Sequence, residues 1–321
     1  MDPQAEEVQD FLFKGNYQGA HRIARKWLDD FPFNKKDSDE YKKAEEAYLY
    51  SRYLSSRQER VNSMTPGKQI ARAYLEFLHG MEALRKEHKL DLNGDPHFWD
   101  AVSKMIHAKI AEGFAKAFAG QKSYNLNDSE VVQLGISLLH LEKWSSALEA
   151  LAFLHRYNKV NPEVNLLMSY AYYQLNQEEE FLQHFRDVLF YRPEILADYM
   201  QFVPAEFIKK FNNDLDVNKA TSKKQFIKYA LLLEINGFFK SQKVLNNAEL
   251  KKIQSDFQSE YDQFKKNKEA LKDQIPHLLL QLCWIISAYK QKDDYDKVEL
   301  FREKMISLSS DTWDTFYQKS L

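Results

Sequence analysis

Along most of this chain apolar residues recur at spacings of three and four, the period of a helix that turns one face to a core. Ile70, Tyr74, Phe77, Leu78, Met81 and Leu84 form one such run after a break at Thr65-Pro66-Gly67. Tyr41, Ala44, Tyr48 and Leu54 form another, in a helix expected to run from Asp37-Ser38-Asp39-Glu40 to about Val61, its acids placed where the helix dipole is positive. An alanine-rich helix is expected from about His97 to Ala119. A long one is expected from about Asn247 to Gln274, carrying Leu250, Ile253, Phe257, Phe264 and Leu271 as a stripe and ended by Pro276. Loops are expected at Asp91 to Pro96, at Gly120 to Asp128 and at Asn212 to Asn218. No stretch alternates with the two-residue period of a strand for long enough to argue one. The pattern predicts an all-α protein.

Within the helical pattern one layout repeats after about 34 residues. Residues 128–161 offer Leu134, Gly135 and Leu138, then Trp144 in the turn region, then Ala147, Leu151 and Leu154. Residues 162–195 repeat the layout with Met168, Ser169, Tyr172, Phe181, Phe185 and Val188, and close with Pro193. Partial versions occur at 1–34 (Gly15 to Ala20, Ala24, Trp27, Pro32), at 223–256 (Tyr229, Ala230, Leu233 and Phe239 around Asn236-Gly237) and at 279–312 (Ile285, Ile286, Tyr289, Tyr295, Val298, Met305, with Arg302 breaking the pattern). These windows resemble the tetratricopeptide repeat (TPR) family. In that family small residues sit where helices cross closely, large apolar ones fill between them, and a proline ends the second helix of each unit. Gly135 and Ser169 fit the small slot, whereas Phe181 stands where the first unit has Ala147. The resemblance implies TPR-like hairpins in an α-solenoid, and hence a protein that binds other proteins. The chain then divides into a less regular helical part, 1–122, with one hairpin at 1–34, and a TPR-like part, 123–321.

Composition adds limits. Nine glycines and eight prolines are few for this length and favour helix. The 22 Phe, 18 Tyr and 5 Trp fit rings wedged between helices, with an aromatic ligand groove as the alternative. The net charge is −2, and the 45 basic and 47 acidic residues interleave, so the lysine pairs read as solvated helix faces and nucleic acid is not an expected partner. Cys283 stands alone among Leu282, Trp284 and Ile285, which excludes an internal disulfide or a cysteine-rich metal site and reads as a buried thiol. Met1 to Glu7 is acidic and polar where an export signal would be basic and then apolar. The longest apolar run, Leu278 to Ala288, is too short to span a bilayer. The expectation is a cytoplasmic protein without a membrane span, or an exported one if the sequence is a trimmed mature form.

Candidate chemistry is sparse. Asp91, Asn93 and Asp95 suggest a calcium loop, but Gly94 is misplaced and Val102 stands where a bidentate glutamate belongs, so a capped turn is the better reading. Glu76 and His79 form a single Glu-x-x-His pair, without the second pair and further glutamates of a bundle di-metal centre. No His-Glu-x-x-His, phosphate-cradling glycine loop or glycine-flanked serine occurs. No catalytic residue, metal or cofactor is expected. The TPR resemblance implies instead a concave groove lined by the first helix of each unit, here Val132, Ile136, Leu139, His140, Leu166, Tyr170, Tyr173 and Gln174. Units that grip acidic tails carry lysine and asparagine in such places; Val132 and Ile136 remove that carboxylate clamp. The remaining apolar and aromatic surface suits an amphipathic helix or apolar peptide from another protein, or is filled by the chain's own later helices. The function expected is a non-catalytic adaptor or assembly scaffold, with self-association open. The alternatives are a structural component of an envelope or motility assembly, or an enzyme with a bundle-borne site.

Overall fold

The computed structural model describes residues 3–32, 38–65, 67–90, 94–119, 126–205, 207, 223–239 and 244–320. Among them every regular element is helical and none is a strand. The protein is all-α. Two compact units divide the chain, residues 1–157 and 158–321.

The first unit contains α1 (Pro3–Phe13), α2 (Tyr17–Asp29), α3 (Asp39–Ser55), α4 (Gln58–Asn62), α5 (Lys68–Glu87), α6 (Pro96–Ala119), α7 (Asp128–His140) and α8 (Trp144–Tyr157). The second contains α9 (Pro162–Gln174), α10 (Glu178–Tyr191), two 3-10 turns at Pro193–Ala197 and Met200–Phe202, α11 (Lys223–Ile235), α12 (Asn247–Lys266), a 3-10 turn at Lys272–Gln274, α13 (Ile275–Lys290), α14 (Tyr295–Leu308) and α15 (Ser310–Ser320).

Short polar side chains start several of these helices by accepting amides that no earlier carbonyl can reach. Ser38 accepts from the Tyr41 amide at 3.2 Å and opens α3, as its acidic surroundings predict. Asn127 and Asn246 form reciprocal capping boxes with Glu130 and Glu249 at the starts of α7 and α12. Asn161 caps α9 with Pro162 in its first turn, where the missing amide costs nothing.

One turn geometry recurs between paired helices. Gly15, Glu142, Asn176 and Asp293 each adopt a left-handed φ, at 72°, 59°, 57° and 56°. In each case the next amide returns to the carbonyl five residues before it: Asn16 to Phe11, Lys143 to Leu138, Gln177 to Tyr172 and Asp294 to Tyr289. This is the Schellman closure of a helix C-terminus, and a new helix begins one residue further on. Glu142 and Asn176 occupy the same offset in the windows 128–161 and 162–195. Gly237 makes the same turn at φ 64°, with Phe238 bonded back to Leu233, but α12 starts only at Asn247, so the window 223–256 departs from the layout here.

The small slot at Gly135 is real in geometry. A Cβ on Gly135 of α7 would lie 2.7 and 2.8 Å from Leu151 Cδ2 and Cγ on α8, and Leu151 is fully buried. Gly135→Leu is therefore expected to cost about 1–3 kcal/mol through overpacking, measured as a lower urea midpoint. A variant that unfolds at or above the parental midpoint would show that α7 and α8 have room to move apart. In the second repeat window Ser169 is buried and donates its hydroxyl to the Leu166 carbonyl at 2.7 Å.

The run Leu278 to Ala288 becomes α13, in which every side chain from Leu278 to Tyr289 is buried. A helix apolar on all sides needs neighbours all round, and α11, α12 and α14 pack against it. No helix among the described residues is long and apolar enough to cross a membrane.

Three expected boundaries shift. The long helix from Asp37 divides into α3 and α4, and Gln58 at the start of α4 donates to the Gly15 carbonyl and accepts the Gln18 amide, both at 3.0 Å, pinning the first hairpin turn. The helix from Asn247 ends at Lys266, where Asn267 turns to φ −146°. The unit boundary lies after Tyr157 rather than within 120–128. Residues 120–125 lie outside the described residues, but α7 packs on α6, and Glu130 ties α7 to α5 through Lys68 at 2.8 Å and Arg72 at 2.5 Å. That puts the hairpin 128–157 with the N-terminal helices. The expected loop Asn212 to Asn218 lies outside the described residues.

Candidate functional site

The groove residues read from the sequence fall in both units. In the first, Val132 and Leu139 on α7 are buried and Ile136 is partly exposed. His140, the last residue of α7, stacks on His107 of α6 with ring centroids 4.1 Å apart. In the second, Leu166 on α9 is fully buried, while Tyr170, Tyr173 and Gln174 are partly exposed. The segment after α10 lies over that face of α9. Phe202 meets the Tyr170 ring edge-on at 5.3 Å, Phe207 meets Tyr173 at 5.9 Å, and Tyr199 donates its hydroxyl to Glu163 in the first turn of α9. Phe181, the departure from the repeat pattern, sits under the same cluster at 5.4 Å from Tyr173 and 4.8 Å from Phe207. Val132, Leu139 and Leu166 thus serve the chain's own packing, and Ile136, Tyr170, Tyr173 and Gln174 keep part of their surface exposed.

Besides Glu130 with Lys68 and Arg72, two further networks hold buried charge. In the first unit Glu46 on α3 is fully buried and accepts from the Tyr50 hydroxyl at 2.9 Å, the Asp95 amide at 2.6 Å and the Arg85 guanidinium at 3.4 Å. Burial pushes its carboxyl above the usual range, opposed by those three donors. Arg85 on α5 also donates to the Tyr50 hydroxyl at 3.0 Å and lies over the Trp99 ring at 4.5 Å. In the second unit Arg186 on α10 grips Glu234 on α11 with two parallel bonds, 2.9 and 2.8 Å, and Trp284 on α13 donates to the same carboxylate at 3.0 Å. The Phe239 ring lies 4.9 Å from the guanidinium carbon. These side chains join three helices at one point in each unit.

The remaining candidates behave as structure. Cys283 is buried on α13; burial and then the Glu234 charge hold its thiol well above the ordinary range, so it stays protonated and unreactive. Glu76 of the Glu-x-x-His pair bonds Arg60 on α4 at 2.7 Å, with both side chains exposed. Asp95 caps α6 through the His97 amide at 2.9 Å and pairs with Lys43 at 3.6 Å; Asp91 and Asn93 lie outside the described residues. Among the described residues no three His, Cys, Asp or Glu side chains stand close enough to hold a metal ion.

Sequence reading missed both networks. Glu46 and Tyr50 are one helical turn apart and could have been paired, but Arg85 and Glu234 reach their partners only after the helices pack. A further signal was Arg186 itself, a charge set among Phe185, Val188 and Leu189.

Fold and site together define an all-α protein of helix hairpins whose interior charges hold helices to one another. No protein family, curated protein or solved structure matches the chain.

Proposed function

We propose that this chain is a non-catalytic scaffold of TPR-like hairpins that binds a segment of another protein, an amphipathic helix or an apolar peptide. The supporting observation is the recurrence of one hairpin turn, with a left-handed residue and a Schellman bond at Gly15, Glu142, Asn176 and Asp293. Hairpins built on one turn are the building blocks of repeat proteins that bind other proteins. The use of Glu46, Arg85, Arg186 and Glu234 as internal ties agrees with it, because a catalytic carboxylate or guanidinium has to face a substrate. Ile136 on α7 and Tyr170, Tyr173 and Gln174 on α9 are the partner-facing residues in this reading, and the cytoplasmic placement goes with it.

Photo-crosslinking in the source cell tests the proposal. A photoreactive phenylalanine analogue placed at Ile136 or Gln174 is expected to crosslink one defined protein, while the same analogue at exposed Glu76 is not. Products confined to this chain, or an identical set from all three positions, would reject the partner site.

A further inference from the structure

The seam between α6 and α7 is closed by two imidazoles. His107 on α6 and His140 at the end of α7 stack with centroids 4.1 Å apart and planes 10° from parallel. His107 is 5% exposed, and its Nδ1 lies 3.2 Å from Ser137 Oγ, one turn before His140. Burial, with the neighbouring His140 second, pushes His107 down to about 3. Burial also lowers His140, opposed by Asp100 and assisted by Lys104. The charges nearest the stack are occupied with each other: Lys104 on α6 contacts Asp100 at 3.3 Å and Glu142 beyond α7 at 3.2 Å. On α1, which also packs on α6, Asp10 and Lys14 pair at 2.5 Å. On α5, Lys68 and Arg72 are engaged with Glu130.

Glu130 stands in the first turn of α7, three turns from His140. Burial opposes its ionisation, yet Lys68, the Asn127 amide and Arg72 together hold its carboxyl below the usual range, so this end stays tethered in mild acid. The other end carries the exposed Lys104–Glu142 pair and two rings that cannot both be cationic at stacking distance.

We propose that the α6–α7 seam is an acid-released joint: in mildly acidic solution the two stacked imidazoles take up protons by parting, and α7 swings away from α6 about its Glu130 end, carrying α8 with it. An imidazole that is neutral when closed and ordinary when open stabilises the closed form fully above about pH 6.5, and that stabilisation drains away as pH falls toward 3. From pH 7 to pH 5 the opening constant rises about 25-fold through His107 alone, and further through His140.

Hydrogen exchange on the full chain, corrected for the intrinsic pH dependence of exchange, reads this directly. Amides of α7 and α8 are expected to open at least about tenfold more at pH 5 than at pH 7, while those of α5 change by less than about threefold. His107→Asn keeps an amide nitrogen for Ser137, and it should flatten the response of α7 and α8 even if it lowers protection at both pH values. His140→Gln, on a partly exposed residue at a helix end, should preserve the fold and still reduce the response. An equal rise throughout the first unit would overturn the joint in favour of general acid unfolding. A response unchanged by His140→Gln would overturn the role of the stack.

Discussion

Glu234→Ala is expected to lower the unfolding free energy of the second unit by about 3–5 kcal/mol, the cost of leaving a buried guanidinium without its carboxylate. The side chains of Arg186 and Glu234 are only 9% and 6% exposed, so water cannot take over the lost contacts. The Trp284 indole would lose its acceptor as well, and the Phe239 face at 4.9 Å offers the guanidinium only a weak substitute. The double change Arg186→Met with Glu234→Leu removes both charges and should recover most of the loss, because a packed apolar pair avoids the desolvation that the ion pair must overcome. Urea titration followed by tryptophan fluorescence measures both. A single variant that loses less than about 1 kcal/mol would place this pair with solvent-exposed ion pairs and contradict its burial.

The second large effect decides what the face of α9 is for. Tyr170 packs on Phe202, and Tyr173 on Phe181 and Phe207, so replacing both tyrosines with alanine empties space between α9 and the segment that follows α10. A loss of about 3–5 kcal/mol is expected, in the range of aromatic truncations in cores. Partner capture by the surviving folded fraction should also fall about tenfold or more if the exposed edges of these rings touch the ligand. Melting temperature and affinity measured on the same protein separate the roles. A large stability loss with unchanged affinity would assign the two tyrosines wholly to internal packing. Unchanged melting with lost capture would show that Phe202 and Phe207 contribute little to holding the face closed.

Much of the fold is local and was legible. Helix starts are written in single residues such as Ser38, Asn127, Asn161 and Asn246, because a cap needs only a short acceptor and the amides two or three positions on. The all-α class follows from three-and-four spacing, and Gly135 was marked as a close approach that Leu151 now makes concrete. The groove was less legible. Val132, Leu139 and Leu166 occupy helix positions that suit either a groove or a core, and spacing alone cannot say which side of a helix another segment will cover.

What the sequence by itself determined is the all-α class and several helix starts, since each depends on contacts within about one helical turn. What only the tertiary structure decided is which distant side chains meet: Arg186 with Glu234 and Trp284, Glu46 with Arg85, and His107 with His140. Those meetings depend on how far each helix is rotated about its axis and where it crosses its neighbours, quantities set by the packing of many side chains at once. Local spacing fixes which face of a helix is apolar. The fit between faces fixes which charge a buried arginine finds.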